Sequence, residues 1–124
     1  MIPKRLVALV LERDGRECVL DRPGCWRAAT IADHRANRGM GGSRQLDSVA
    51  NLIAACPSCN GLKEDATGGV LEQLIEYGHR VRHAATSQAT LRAAQLTPVR
   101  YPDGRFYWLT ADGRRVEVSG PPPF

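Results

Sequence analysis

Two sets of residues in this sequence have types and spacings that can do chemistry. Cysteines stand at 18, 25, 56 and 59, and an acid and a base stand side by side as Asp33 and His34 in "IADHRA". Cys56 and Cys59 form C-x-x-C, a spacing that lets one tight turn bring two thiolates to the same tetrahedral ion. Cys18 and Cys25 have six residues between them, wider than the usual zinc knuckle, although "DRPG" can fold the chain back so that both sulfurs converge. Together they offer four soft ligands from two loops. A closed four-cysteine zinc site contributes about 10–16 kcal/mol of apparent binding energy to folding, a decisive staple for a small domain. A redox C-x-x-C would leave Cys18 and Cys25 unexplained. Two disulfides would require an oxidising compartment.

Neighbouring side chains of a strand point to opposite faces, so Asp33 and His34 are not one ordinary surface pair. A neutral imidazole suits a general base, and hard oxygens from Asp and Asn suit magnesium or manganese, which keep several waters and bind phosphate. Asn51 and Asn60 stand further along the chain, at the start of the second strand and directly after Cys59. A base, a divalent cation and a group that holds the base's tautomer are what phosphodiester hydrolysis needs.

These residues must be carried by elements. "PKRLVALVLER", residues 3–13, reads as a helix with Leu6, Val7, Val10 and Leu11 on one face and Pro3 at its start. "ATIAD" reads as a short strand ending at Asp33 and His34. "HRANRGMGGSRQLDS" is a loop without apolar period, and "NLIAAC" is a second strand opened by Asn51. Pro57 marks a helix start, with Asn60 directly after Cys59. "GGVLEQLIEYGHRVRHA", residues 68–84, and "SQATLRAAQL", residues 87–96, read as one or two helices. "GRFYWLT" and "RRVEV" form a hairpin around Ala111, Asp112 and Gly113. The expected architecture is α+β: a strand–loop–strand–helix core clipped by the cysteines, with an N-terminal helix and a helical and hairpin extension. The core spans 1–66 and the extension 67–124, packed on the same domain.

The chain has 124 residues, with 17 Lys and Arg against 13 Asp and Glu, a net charge of +4. That is compatible with a polyanionic partner without demanding one. No signal-peptide pattern and no span-length apolar run are evident, so a cytoplasmic protein with reduced thiols and no membrane contact is expected.

The ordered series "RDGRECVLDRPGC…TIADHRANRGMGG…NLIAACPSCNGLK" resembles the HNH endonucleases of the His-Me finger, or ββα-metal, superfamily. The resemblance covers about residues 5–66. It implies a ββα-metal core, with His34 as general base and Asn51 orienting it by fixing the loop. Asn60 takes the third position, where many members have histidine. Asp33 and Asn60 would then hold the catalytic magnesium or manganese, and Cys18, Cys25, Cys56 and Cys59 a structural zinc. Lys63 matches a lysine that often follows, for phosphate contact or helix solvation. The implied activity is metal-dependent hydrolysis of DNA, in a phage, mobile-element or restriction setting. The alternative is a zinc-clipped nucleic-acid-binding module that does not cut.

Arg35, Arg38 and Arg44 line the glycine-rich loop and are expected to contact the DNA backbone. Gly39, Gly41 and Gly42 would allow close approach of the main chain to a phosphate. His79 and His83 share the spacing of one helix face, and an exposed basic helix is expected there. Phe106, Tyr107 and Trp108 are expected to pack on the preceding helix rather than stack on bases.

Overall fold

In the computed structural model the described residues are 1–38 and 44–124; Gly39, Gly41 and Gly42 lie outside them. Among the described residues the fold is mixed α+β, with four α-helices and two small antiparallel sheets. Helix α1 is Lys4–Arg13. Its apolar face works as the spacing predicts: Val10 is buried, and Leu6, Val7 and Leu11 pack against the main core. The surface they cover belongs to strands β1 (Ile31–His34) and β2 (Leu52–Ala55).

Strands β1 and β2 pair antiparallel, with Asp33 opposite Ile53 and His34 opposite Leu52. A 3₁₀ turn, Val49–Asn51, delivers the chain into β2, capped by the Ser48 hydroxyl accepting from the Ala50 N–H. Every residue of β2 is buried, because α1 and the cysteine loops cover it. Helix α2, Pro57–Glu64, follows after Cys56, whose sulfur caps the helix by accepting from the Cys59 N–H. Two strands followed directly by a helix thus form the frame for the candidate site.

Two further helices follow, α3 (Gly68–Glu76) and α4 (Ser87–Gln95), and then a three-stranded sheet of β3 (Val99–Arg100), β4 (Phe106–Leu109) and β5 (Arg115–Glu117). The aromatic strand packs inward. Trp108 is buried, and Tyr107 meets Tyr101 edge-on at 4.9 Å between centroids, with the Arg115 guanidinium over both rings. Tyr101 also donates to buried Asp14, whose other oxygen accepts from the Ala54 N–H. One carboxylate therefore ties the end of α1 to β2 and to the late sheet.

The expected helix carrying His79 and His83 is absent, because α3 ends at Glu76. Gly78 turns the chain at φ 73°, and a Cβ there would lie 2.0 Å from the Pro98 carbonyl oxygen. His79 is buried beyond that turn and donates from Nε2 to the Arg100 carbonyl, while His83 is exposed. Among the described residues, no helix is long and apolar enough to cross a membrane.

Candidate functional site

The four cysteine sulfurs all lie within 4.8 Å of one another, with Cys25 and Cys56 4.0 Å apart. Four sulfurs about 2.3 Å from one ion at the corners of a tetrahedron stand about 3.8 Å from each other, so this spacing suits a single metal ion such as zinc. The wide first pair converges because its loop is closed at the base. Glu17 bridges Ala28, the Cys18 N–H donates to the Arg27 carbonyl, and Asp21, Gly24 and Arg27 take positive φ to reverse the chain. Backbone N–H groups are already aimed at the sulfurs: Trp26 and Cys59 donate to Cys56 Sγ, and Arg27 donates to Cys25 Sγ. Burial opposes ionisation of the Cys56 thiol, but these donors prevail and bring it down to about 7. Cys56 alone is drawn toward the thiolate in this way. Burial pushes the Cys18 thiol up to about 11 and the Cys59 thiol up as well, so a bound cation would have to supply the charge that holds them ionised.

On the neighbouring strand, the alternation of β1 sends Asp33 and His34 to different partners. Asp33 is buried against α2, where the Lys63 ammonium lies 3.0 Å from its Oδ2. Lys63 also donates to the His34 carbonyl. Burial drives both charges toward neutrality, raising the Asp33 pKa and lowering that of Lys63, and their mutual attraction opposes this. Lys63 is 1% exposed. The expectation of a phosphate-contacting or solvated lysine is therefore corrected: the side chain is sealed in the core and serves the carboxylate.

Arg35 is a second correction. Its guanidinium is fully buried and donates to four carbonyls, those of Gly78, Ala50, Ala94 and Thr97, at 2.6–2.8 Å. Two of these belong to the C-terminal end of α4 and the residues just past it, where helix carbonyls lack intrahelical donors and favour a cation. Burial lowers the Arg35 pKa to about 9, which leaves it charged at neutral pH. It joins the N-terminal core to the C-terminal extension, and its complete burial keeps it from DNA.

His34 faces the loop. Its Nε2 donates to Asp47 Oδ1 at 2.7 Å, and the other oxygen of Asp47 lies 3.4 Å from Arg38. Asn51 is fully buried and braces both ends of the same loop. Its Oδ1 accepts from the Ala36 N–H, and its Nδ2 donates to the Ala36 and Leu46 carbonyls. The Asn51 carbonyl accepts from the Arg35 N–H, fixing the residue after His34. Arg38, exposed Arg44 and Asp47 share a cleft of about 470 Å³ closed on one side by Met1, Pro3 and Leu6. Asp47 is absent from the sequence-based site. Its only signal is a carboxylate four residues before Asn51, at the far end of a loop whose closure no local pattern encodes.

Asn60 lies on α2 one turn before Lys63, so the two share a helix face. Its side chain has no hydrogen bond among the described residues, and Oδ1 of Asp33 has none either. A carboxylate held through one oxygen by an ammonium keeps the other for a hard cation, and a neutral amide oxygen is a compatible second donor. No family model matches this sequence, and neither a curated protein nor a solved structure matches it.

Proposed function

We propose that the protein is a metal-dependent HNH endonuclease that hydrolyses DNA phosphodiester bonds, with the cysteine cluster holding a structural zinc. The observation that carries this reading is the fixed imidazole of His34. It sits at the end of β1 beside a loop that Asn51 ties at both ends, with arginines lining the adjoining cleft. That arrangement supports Asn51 as the residue that fixes the loop and His34 as the base that takes a proton from water. Arg38 and Arg44 hold the DNA backbone in the cleft, and Arg35 and Lys63 do not contribute. A magnesium or manganese ion held by Asp33 and Asn60 would supply charge stabilisation for the departing 3′-oxygen.

The Asp33–Lys63 pair favours a second reading, a zinc-clipped module that binds nucleic acid without cutting. The ammonium offsets the one carboxylate among the proposed cation donors. Plasmid cleavage separates the two readings. Supercoiled DNA is incubated with the protein and magnesium or manganese, beside His34→Ala of verified fold and cysteine-site metal content. The nuclease reading expects metal-dependent cutting that His34→Ala abolishes. Equal cutting by both proteins removes His34 as the base, and DNA binding without cutting under either metal supports the binding module.

A further inference from the structure

We propose that Asp47 is the positioning residue of this reaction: it holds the His34 imidazole as the Nε2–H tautomer and thereby makes Nδ1 the atom that accepts the proton from water. The reaction rests on the nuclease reading above; the choice of residue and atom rests on geometry. A carboxylate only accepts, so the 2.7 Å contact between His34 Nε2 and Asp47 Oδ1 places the ring proton on Nε2 and the lone pair on Nδ1. Nδ1 has no hydrogen-bond partner among the described residues, and the His34 side chain keeps 19% of its exposure, enough for a water to reach it.

Asp47 is itself a held group. Its side chain is 7% exposed, its Oδ2 faces Arg38, and its backbone N–H donates to the Arg44 carbonyl. The following residue, Ser48, caps the turn that carries Asn51 into β2. Asn51 and Asp47 therefore divide the work: one fixes the main chain around the base, and the other fixes the ring. Fixing the main chain alone leaves the imidazole free to rotate about two bonds and to exchange tautomers. A misplacement on the order of 1 Å at a reacting atom costs about 10²-fold in rate.

Arg38 extends the contact toward substrate, because it touches Asp47 and lines the same cleft as Arg44. In the step itself, Nδ1 takes a proton from water and the water oxygen bonds to phosphorus. The bond from phosphorus to the 3′-oxygen breaks, and that oxygen takes a proton from solvent, leaving a 5′-phosphate and a 3′-hydroxyl.

Full-length Asp47→Ala and Asp47→Asn, each with verified cysteine-site metal content, test the proposal through two readouts. The first is plasmid cleavage with manganese, separating kcat from KM. The second is the nitrogen-15 NMR spectrum of labelled histidines, with the His34 signal assigned by its loss in His34→Gln. The wild type is expected to show His34 protonated at Nε2 alone. Asp47→Ala loses that single tautomer and about 10²–10⁴-fold in kcat, with KM within about threefold. Asp47→Asn, of the same shape without the charge, loses at least about tenfold in kcat. Wild-type kcat in both variants, or an unchanged Nε2–H signature in Asp47→Ala, overturns the proposal while leaving the nuclease reading intact. A wild type that cuts with neither magnesium nor manganese defeats the nuclease reading instead. The NMR comparison then still decides whether Asp47 sets the tautomer: loss in Asp47→Ala sustains that hold, and persistence overturns it.

Discussion

Lys63 Nζ and Asp33 Oδ2 meet at 3.0 Å with side-chain exposures of 1% and 4%, a buried ion pair between α2 and β1. The lysine also donates to the carbonyl of His34, so one ammonium sets the depth at which the helix lies against the strand that carries the proposed base.

Removing that ammonium leaves a carboxylate without its counter-charge in the core. Lys63→Met is expected to cost about 3–5 kcal/mol of stability, read as a lower urea midpoint at unchanged slope. Asp33→Leu combined with Lys63→Met should recover most of this loss, because the uncompensated charge goes with it. At temperatures where Lys63→Met is folded, the slope of log DNA affinity against log salt should match the wild type. A slope shallower by about one unit would return Lys63 to phosphate contact.

Arg35 and Arg44 make a second contrast, since both are arginines flanking one loop. Arg35→Lys retains the charge but offers one ammonium to four carbonyls that a planar fork now serves. A loss of about 2–4 kcal/mol is expected from the unpaired carbonyls, with little change in DNA affinity of the folded protein. Exposed Arg44 should behave oppositely. Arg44→Ala should leave stability within about 0.5 kcal/mol and reduce the salt slope of DNA binding by about one unit. Matching DNA-binding losses in the two variants would contradict this division.

The same contrast explains how much the sequence could disclose. The apolar face of α1, the strand carrying Asp33 and His34 and the C-x-x-C pair follow from local spacing, because each depends on neighbours within one element or one turn. The bracing role of Asn51, whose partner Ala36 stands 15 residues away, is implied by the family resemblance alone. Arg35 and Lys63 read as phosphate contacts because residue type and loop position are the same for a buried and an exposed cation. What separates them is distant: the carbonyls that Arg35 serves lie at 50, 78, 94 and 97. Asp47 escaped for the same reason, since its partner stands across a loop closure. His79 was misplaced because its helix face stops at Gly78, and only the close approach of Pro98 makes a glycine turn necessary there.

The cysteine cluster predicts a folding dependence on metal. The apparent binding energy of a structural zinc, about 10–16 kcal/mol, equals or exceeds the whole stability of an ordinary small domain, about 5–15 kcal/mol. Chelation under reducing conditions should therefore abolish the cooperative thermal transition seen by circular dichroism, and one equivalent of zinc should restore it. Because all four sulfurs lie within one cluster, Cys18→Ser and Cys25→Ser should be as damaging as Cys56→Ser and Cys59→Ser. A protein that keeps its metal and its transition with Cys18 or Cys25 replaced would remove the wide pair from the site.

His79 predicts an acid limb of stability. Burial is the main force that lowers its pKa, to about 4, and Arg35, Lys63 and Arg22 add repulsion against the donated bond to the Arg100 carbonyl. Its Nδ1 is buried with no hydrogen-bond partner among the described residues, so a second proton would enter a place without an acceptor. The unfolded chain takes that proton near pH 6.5 and the folded chain only near 4. Above the unfolded value the group makes no difference. Between the two values each unit of acidification favours the unfolded state by about 1.4 kcal/mol. By about pH 5 the loss should reach about 2 kcal/mol relative to neutral pH. His79→Gln places an amide donor near Nε2 without the titration, so its stability should fall less steeply over this range in urea titrations. Thiol protonation at the cysteine cluster acts on both proteins alike, and the difference between them isolates His79. Parallel curves for the two proteins would show that the buried imidazole does not set the acid limb.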